Sequence, residues 1–221
     1  MPAPTPDLSI AVQDYLKAIY ALESEGQRVT TSALARRMGV SAPSTTAMTK
    51  RLAELGLVER LPYRGVALTD AGRRGALEVL RHHRLLERYL VDRLGLSLDE
   101  VHAEAELLEH ALSEELEARI DAELGFPTHD PHGDPIPDRN LRVVRGDDRT
   151  LLDLEPGTRA SISRVPDGDS ALLRYLGELG IVPGSDLELV DHAPFGGPVT
   201  VRTERGEHAI SRELADRIAA A

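Results

Sequence analysis

The sequence predicts a mainly helical chain that ends in a small all-β domain. Three observations carry this expectation. Apolar residues at helical spacing fill the first third and lead into one short hairpin. No proline interrupts the helical rhythm between Thr69 and Pro127, and beyond Leu151 short alternating stretches lie between Gly and Pro turns. With 221 residues, 41% of them hydrophobic and 29% charged, the chain can build cores and is not a disordered polyelectrolyte.

Element by element, Leu8, Val12, Tyr15, Leu16, Ile19, Tyr20 and Leu22 recur at helical spacing, and Gly26 ends that helix. A second short helix fits Thr31 to Met38, closed by Gly39. Ser41 suits the N-cap of a third, from Ala42 to about Leu55, with Pro43 in its first turn and Gly56 just past its end. Val58 to Leu61 and Val66 to Leu68 read as strands around the turn Pro62-Tyr63-Arg64-Gly65. This order is that of a winged helix-turn-helix. Thr69 then caps a long helix that Gly95 breaks, and a second long helix is expected from Leu98 to Leu124. The proline-rich PTHDPHGDPIP is a fixed loop leading to a linker around Arg145 to Arg149. Stretches such as Arg159 to Val165, Asp186 to Val190, Val199 to Arg202 and Glu207 to Ile210 give a small β-barrel pattern, and an alanine-rich tail closes the chain. The expected domains are residues 1–75, 76–144 and 151–221.

No apolar run approaches the ~18 residues that span a bilayer, and the N-terminus lacks the basic and apolar regions of a secretory signal. A cytoplasmic protein without membrane contact is expected. The absence of cysteine excludes disulfides, thiolate metal sites and cysteine nucleophiles, so any metal is held by His, Asp, Glu or neutral oxygen donors. No Trp, two Phe and five Tyr argue against aromatic base-stacking platforms. The net charge of -11 reads against nucleic acid, but it is unevenly spread. Residues 1–75 carry ten Lys and Arg against seven Asp and Glu, whereas the remainder carries sixteen against thirty. A basic head on an acidic body implies different partners for the two parts.

In a helix-turn-helix the second helix presents short polar side chains to base edges while flanking cations hold phosphates. Ser41, Ser44, Thr45, Thr46 and Thr49, with Pro43 in the first turn and Lys50 and Arg51 following, meet that demand, and Arg64 sits on the wing. The bland alternative is a capped and solvated surface helix. The position after a Gly turn and before a hairpin favours double-stranded DNA. A second constellation is His102, Glu106, Glu109 and His110, spaced by three and four on one expected helix and so sharing a face. His83 and Glu87, four apart on the preceding helix, form a similar pair. A solvated acidic face is the alternative, but three His at these spacings, among only eight in the chain, favour a metal.

The strings DYLKAIYALESEG, SAPSTTAMTKRL, LTDAGRR, HHRLLERYL, VHAEAELLEH and PHGDPIP, in this order, resemble the diphtheria toxin repressor family of metal-activated transcriptional repressors. The resemblance covers essentially the whole chain. It implies a homodimer with a helical dimerisation domain, a C-terminal SH3-like (FeoA-type) domain, a DNA operator as partner, and two metal sites. For the primary site it implies Asp14, Glu106, Glu109 and His110. Asp14 and Glu106 stand where iron-responsive members have Met and Cys, replacements that match the manganese-responsive branch. Carboxylates in place of sulfur also favour harder ions such as Mn(II), with Fe(II) the alternative. Lys17 stands where some short manganese-responsive members have Glu, so the resemblance does not extend to their binuclear cluster. For the second site it implies His83, Glu87, His102 and Asp169, while Leu172 replaces a family Gln. Asp130 and His132 fall in a loop that supplies ligands in other members. Glu87, His132 and Asp169 rank ahead of Asp130 and His102. His82, His129, His192 and His208 are read as ordinary surface histidines.

The resulting expectation is a manganese-dependent repressor of metal-uptake genes, with no small-molecule substrate. An iron- or zinc-responsive repressor is the near alternative. A di-metal enzyme is the distant one, and no Ser nucleophile motif, phosphate-cradling loop or spare acid–base set accompanies the ligands. A peptide-binding adaptor role for the barrel is disfavoured by the few aromatics available to line a groove.

Overall fold

A computed structural model describes residues 8–61, 65–144, 146 and 149–221. The chain divides into two compact units: Met1–His82 with Glu109–Ala111 and Pro137–Arg142, and His83–Leu108 with Leu112–Ile136 and Val143–Ala221.

The first unit opens with α1 (Ile10–Ser24), which buries Val12, Tyr15, Leu16, Ile19 and Leu22, a three-and-four spacing that puts one stripe inward. Helix α2 (Thr31–Met38) is capped by the Thr30 side chain, which accepts from the Ala33 N–H, and ends at Gly39 in the left-handed region, φ 64°. Ser41 caps α3 (Ala42–Glu54) by accepting from the Ser44 N–H. Strands β1 (Val58–Leu61) and β2 (Gly65–Leu68) pair antiparallel with Val58 opposite Leu68. Gly65 has φ +96°, and a Cβ there would stand 2.0 Å from the Val29 carbonyl oxygen, so glycine is required. Leu16, Ile19, Leu34, Leu52, Val58 and Val66 form the core that joins helices and hairpin. Arg64, expected on the wing, lies outside the described residues. Helix α4 (Asp70–Leu94) follows, with Thr69 Oγ1 accepting from the Gly72 N–H at 3.1 Å.

In the second unit α4 ends at Gly95, φ 74°, as its glycine predicts. The expected long helix from Leu98 to Leu124 is instead α5 (Leu98–Leu108), a 3-10 turn (Glu109–Ala111) and α6 (Glu114–Glu123). The break has a local cause. Leu112 is extended at φ -72° and ψ 118°, and Ser113 caps α6 by accepting from the Leu116 N–H. Leu85, Leu86, Ala105, Ile120 and Ile136 pack into a small helical core. In the loop that follows, the Val165 N–H donates to the His132 carbonyl at 2.9 Å. Gly133 has φ +94°, and a Cβ there would stand 2.0 Å from the Ser163 carbonyl oxygen.

The C-terminal part is one antiparallel sheet ordered β3-β8-β4-β5-β6-β7. Its strands are β3 (Arg149–Thr150), β4 (Arg159–Arg164), β5 (Asp186–His192), β6 (Val199–Thr203), β7 (Gly206–Ile210) and β8 (Ala219–Ala220). Helix α7 (Ser170–Leu179), absent from the sequence reading, lays Leu173 and Leu176 onto the core of Ile162, Leu189, Val199, Val201 and Ile218. A short α8 (Arg212–Ala215) precedes the alanine-rich tail, which is itself a buried strand. Among the described residues no helix is long and apolar enough to cross a membrane.

Candidate metal centre and nucleic-acid interface

Within the first unit, Gln13, Asp14 and Lys17 of α1 meet the turn Glu109–Ala111. Gln13 Oε1 accepts from His110 Nδ1 at 2.6 Å, which turns the other ring nitrogen, Nε2, toward its carboxylate neighbours. Nε2 lies 2.9 Å from Asp14 Oδ1 and 3.4 Å from Glu109 Oε1. Glu109 is only 1% exposed, and the same Oε1 accepts from Lys17 Nζ at 2.6 Å. His82, expected at the surface, is buried, with Nδ1 3.2 Å from the Glu109 carbonyl oxygen, and it braces the turn. One imidazole and two carboxylates thus offer ligand atoms within 4.8 Å of one another, a hard, sulfur-free donor set suited to a divalent cation.

In the second unit, Glu87 of α4 is fully buried and faces two groups of donors. Its Oε1 lies 3.0 Å from His83 Nε2 and 3.1 Å from His102 Nδ1, and those nitrogens are 3.1 Å apart. Glu106 stands beside the same imidazoles, with Oε1 3.9 Å from His83 Nδ1 and 3.8 Å from His102 Nε2. The other Glu87 oxygen, Oε2, lies 3.6 Å from His132 Nδ1. His132 Nε2 donates to the Leu98 carbonyl at 3.1 Å. Asp130 Oδ1 accepts from the backbone N–H groups of His132 and Asp134, each at 2.9 Å, while its Oδ2 lies 3.4 Å from Arg84 Nε. Among the described residues Glu87 Oε2, His132 Nδ1 and Asp130 Oδ2 are buried without a hydrogen-bond partner, and a cation that displaces the His132 proton would satisfy all three.

The electrostatics follow from that burial. Desolvation pushes Glu87 up, but the imidazoles of His102, His132 and His83 around it outweigh that and hold the carboxyl well below its ordinary range. Desolvation pushes His132 down, but the Glu87 carboxylate overrides it and raises the imidazole to about 9. Asp130 is pushed up to about 7, first by burial and then by the charges of Asp134 and Glu87.

The structure therefore brings Asp14, Glu109 and His110 together, His83, His102 and Glu106 together, and Glu87, Asp130 and His132 together. Glu106 joins the group of His83 and His102; the expected single helix ends at Leu108, and Glu109 and His110 stand on the 3-10 turn that follows. Asp169 lies outside these groups. It is the exposed N-cap of α7, its Oδ1 accepting from the Ala171 and Leu172 N–H groups at 2.9 and 3.1 Å. Gln13 was missed by the sequence reading, although its place beside Asp14 on the same helix offered a signal.

Helix α3 exposes Ser41, Pro43, Ser44, Thr46, Lys50 and Arg51. Thr45 and Thr49, expected among the base-facing residues, are buried, their hydroxyls donating to the Ser41 and Thr46 carbonyls at 3.1 and 3.0 Å. The helical period explains this: these two share the inward stripe with Leu52. The outward face is short, hydroxyl-rich and followed by two cations, the chemistry that reads base edges and grips phosphates.

These sites on this fold define a metal-dependent, DNA-binding transcriptional repressor. The chain belongs to the diphtheria toxin repressor family. Residues 7–66 match the iron dependent repressor N-terminal DNA binding domain, 69–138 the iron dependent repressor metal binding and dimerisation domain, and 149–220 the FeoA domain. It is 34% identical to the iron-dependent repressor IdeR of Mycobacterium tuberculosis, covering 92% of this chain and 94% of that one. It is 34% identical to the diphtheria toxin repressor of Corynebacterium efficiens, over 96% of this chain and 94% of the relative. A solved manganese-dependent transcriptional repressor in complex with manganese superposes with a TM-score of 0.86 at 42% identity, over 95% of this chain and 99% of that one.

Proposed function

We propose that the protein is a manganese-responsive repressor that acts in the cytoplasm as a homodimer on a two-fold DNA operator and controls metal homeostasis, uptake genes foremost. One observation carries the choice of metal: the Asp14, Glu109 and His110 set holds two carboxylates and an imidazole and no sulfur. Such donors favour Mn(II) over softer ions, with geometry and availability setting the final selectivity. Iron(II) is the second reading, because the mycobacterial relatives are named iron-dependent, whereas the structural neighbour is named manganese-dependent.

Asp14 belongs to α1, whose apolar stripe shares one core with Leu34 of α2 and Leu52 of α3, and Glu109 and His110 belong to the turn that leads into α6. A bound ion supplies two positive charges and directional bonds that favour the arrangement in which these ligands converge. Gln13 orients His110, His82 braces the turn, and α1 carries the resulting constraint to α3. In a dimer that constraint sets the spacing of two recognition helices, which a two-fold operator reads as half-site separation. Leu107, Leu108 and Leu116 of the second unit are exposed apolar residues, which supports burial against a second copy. His83, Glu87, His102, Asp130 and His132, with Glu106 beside them, are the proposed ancillary centre. Asp169 is proposed to join it only by giving up its capping bonds.

The test is a mobility-shift titration on the operator with Mn(II), Fe(II), Zn(II) or chelator. Activation by Mn(II) at the lowest free concentration, lost in Asp14→Ala while its circular dichroism is unchanged, is expected. Equal operator affinity in chelator and in Mn(II) would overturn metal control, and activation by Fe(II) alone would select the second reading.

A further inference from the structure

We propose that Lys17 is a tethered competitor of the divalent ion and sets the metal concentration at which the Asp14, Glu109 and His110 centre fills. The inference rests on the reading of those three residues as a metal centre.

Lys17 lies three residues after Asp14 on α1, so both side chains project from neighbouring positions of one rigid helix. Its ammonium donates to Glu109 Oε1 at 2.6 Å. That same oxygen is 3.4 Å from His110 Nε2, whose other contact is Asp14 Oδ1 at 2.9 Å. One carboxylate oxygen is therefore claimed both by a resident cation and by the convergence point of the ligand set. The Glu109 side chain is 0% exposed, so water screens this pair poorly, whereas Lys17 is 18% exposed and its flexible stem has a route to solvent.

A divalent ion entering here meets two penalties. It must share or displace a short charge-assisted hydrogen bond, and it arrives next to a like charge. Both penalties act on charge, not on donor softness. An ammonium cannot tell manganese from zinc, so Lys17 offsets the affinity of every divalent ion in parallel and leaves their order to the ligands. The residue is thus a threshold device rather than a selectivity filter. A purely structural role for Lys17, holding Glu109 in place for the metal, predicts the opposite sign, because its loss would loosen a ligand.

The experiment is a Mn(II) and Zn(II) titration of the full-length protein by calorimetry, in wild type, Lys17→Met, Lys17→Gln and Lys17→Arg. Asp14→Ala identifies the binding step that belongs to this centre. Neutral substitution is expected to tighten that step by at least about tenfold for both metals, with Arg near wild type. The operator-binding midpoint in Mn(II) should move to lower metal by a similar factor. Unchanged or weakened binding in both neutral variants would overturn the proposal, as would tightening confined to one metal. If wild type and Asp14→Ala titrate identically, the metal reading itself fails, an outcome distinct from failure of the Lys17 effect.

Discussion

Glu87 Oε2 and His132 Nδ1 face each other at 3.6 Å, both side chains buried, and neither atom has a hydrogen-bond partner among the described residues. A buried carboxylate shared among three imidazoles is an anchor that the fold cannot lose cheaply. Glu87→Gln is expected to lower the metal bound per protomer, measured by elemental analysis after dialysis against Mn(II). It should also cost about 3 kcal/mol in chelator, the scale for breaking a buried ion pair by removing one partner. Denaturant unfolding checks the second number.

The same pair makes the metal-free fold sensitive to base. His132 is raised from 6.5 to about 9, so the stability it contributes is fully present below about 6.5 and is lost as pH rises through 9. Asp130, held protonated by burial up to about 7, acts in the same direction across a lower window, from 3.8 to about 7. Unfolding free energies in chelator should therefore fall from pH 6 to pH 9, and His132→Gln should flatten the upper part of the decline. Protons and metal compete for these atoms, so affinity at this centre should rise over the same interval.

On α3 the alternation of exposed and buried hydroxyls separates reading from folding. Lys50→Ala or Arg51→Ala should weaken binding to specific and random DNA alike and reduce the salt slope by about one. Ser44→Ala should relax sequence preference with little change in the slope. Thr45→Val, by contrast, should act on stability, because its hydroxyl serves the helix interior. Fluorescence anisotropy at several salt concentrations distinguishes the three outcomes.

Gly133 ties the loop that carries Asp130 and His132 to β4. An alanine there would place its Cβ 2.0 Å from the Ser163 carbonyl oxygen on a backbone of φ +94°. The left-handed conformation alone costs about 1–3 kcal/mol for a non-glycine residue, and the clash adds to it. Gly133→Ala is expected to lower the melting temperature and weaken the ancillary centre while the Asp14 step in a metal titration stays unchanged.

The first unit was legible because its signals are local. Thr30 and Ser41 cap, Gly39 terminates, and the apolar stripes of α1 and α3 keep their period. The break after Leu108 was not legible, since neither proline nor glycine marks it and Glu, Ala and Leu on both sides favour helix. One-helix reasoning therefore put His102, Glu106, Glu109 and His110 on a single helical face, whereas Glu109 and His110 stand on a 3-10 turn. Helix α7 did leave a signature, Asp169 followed by Leu172, Leu173, Leu176 and Leu179 at helical spacing, which the expectation of strands obscured. The threonines show the converse limit: composition marked α3 as a reading helix, but only its phase separates Thr46 from Thr45.

The interruption between α5 and α6 gives this architecture a particular vulnerability and a particular freedom. Substitutions at Leu112 and Ser113 that let the two helices fuse would keep every candidate ligand in the sequence and still scatter the set in space, so such a protein would be deaf to metal with all its ligand residues intact. Lengthening or shortening the link of Leu112 and Ser113, between the turn that carries Glu109 and His110 and the start of α6, should retune the metal response without altering the exposed face of α3.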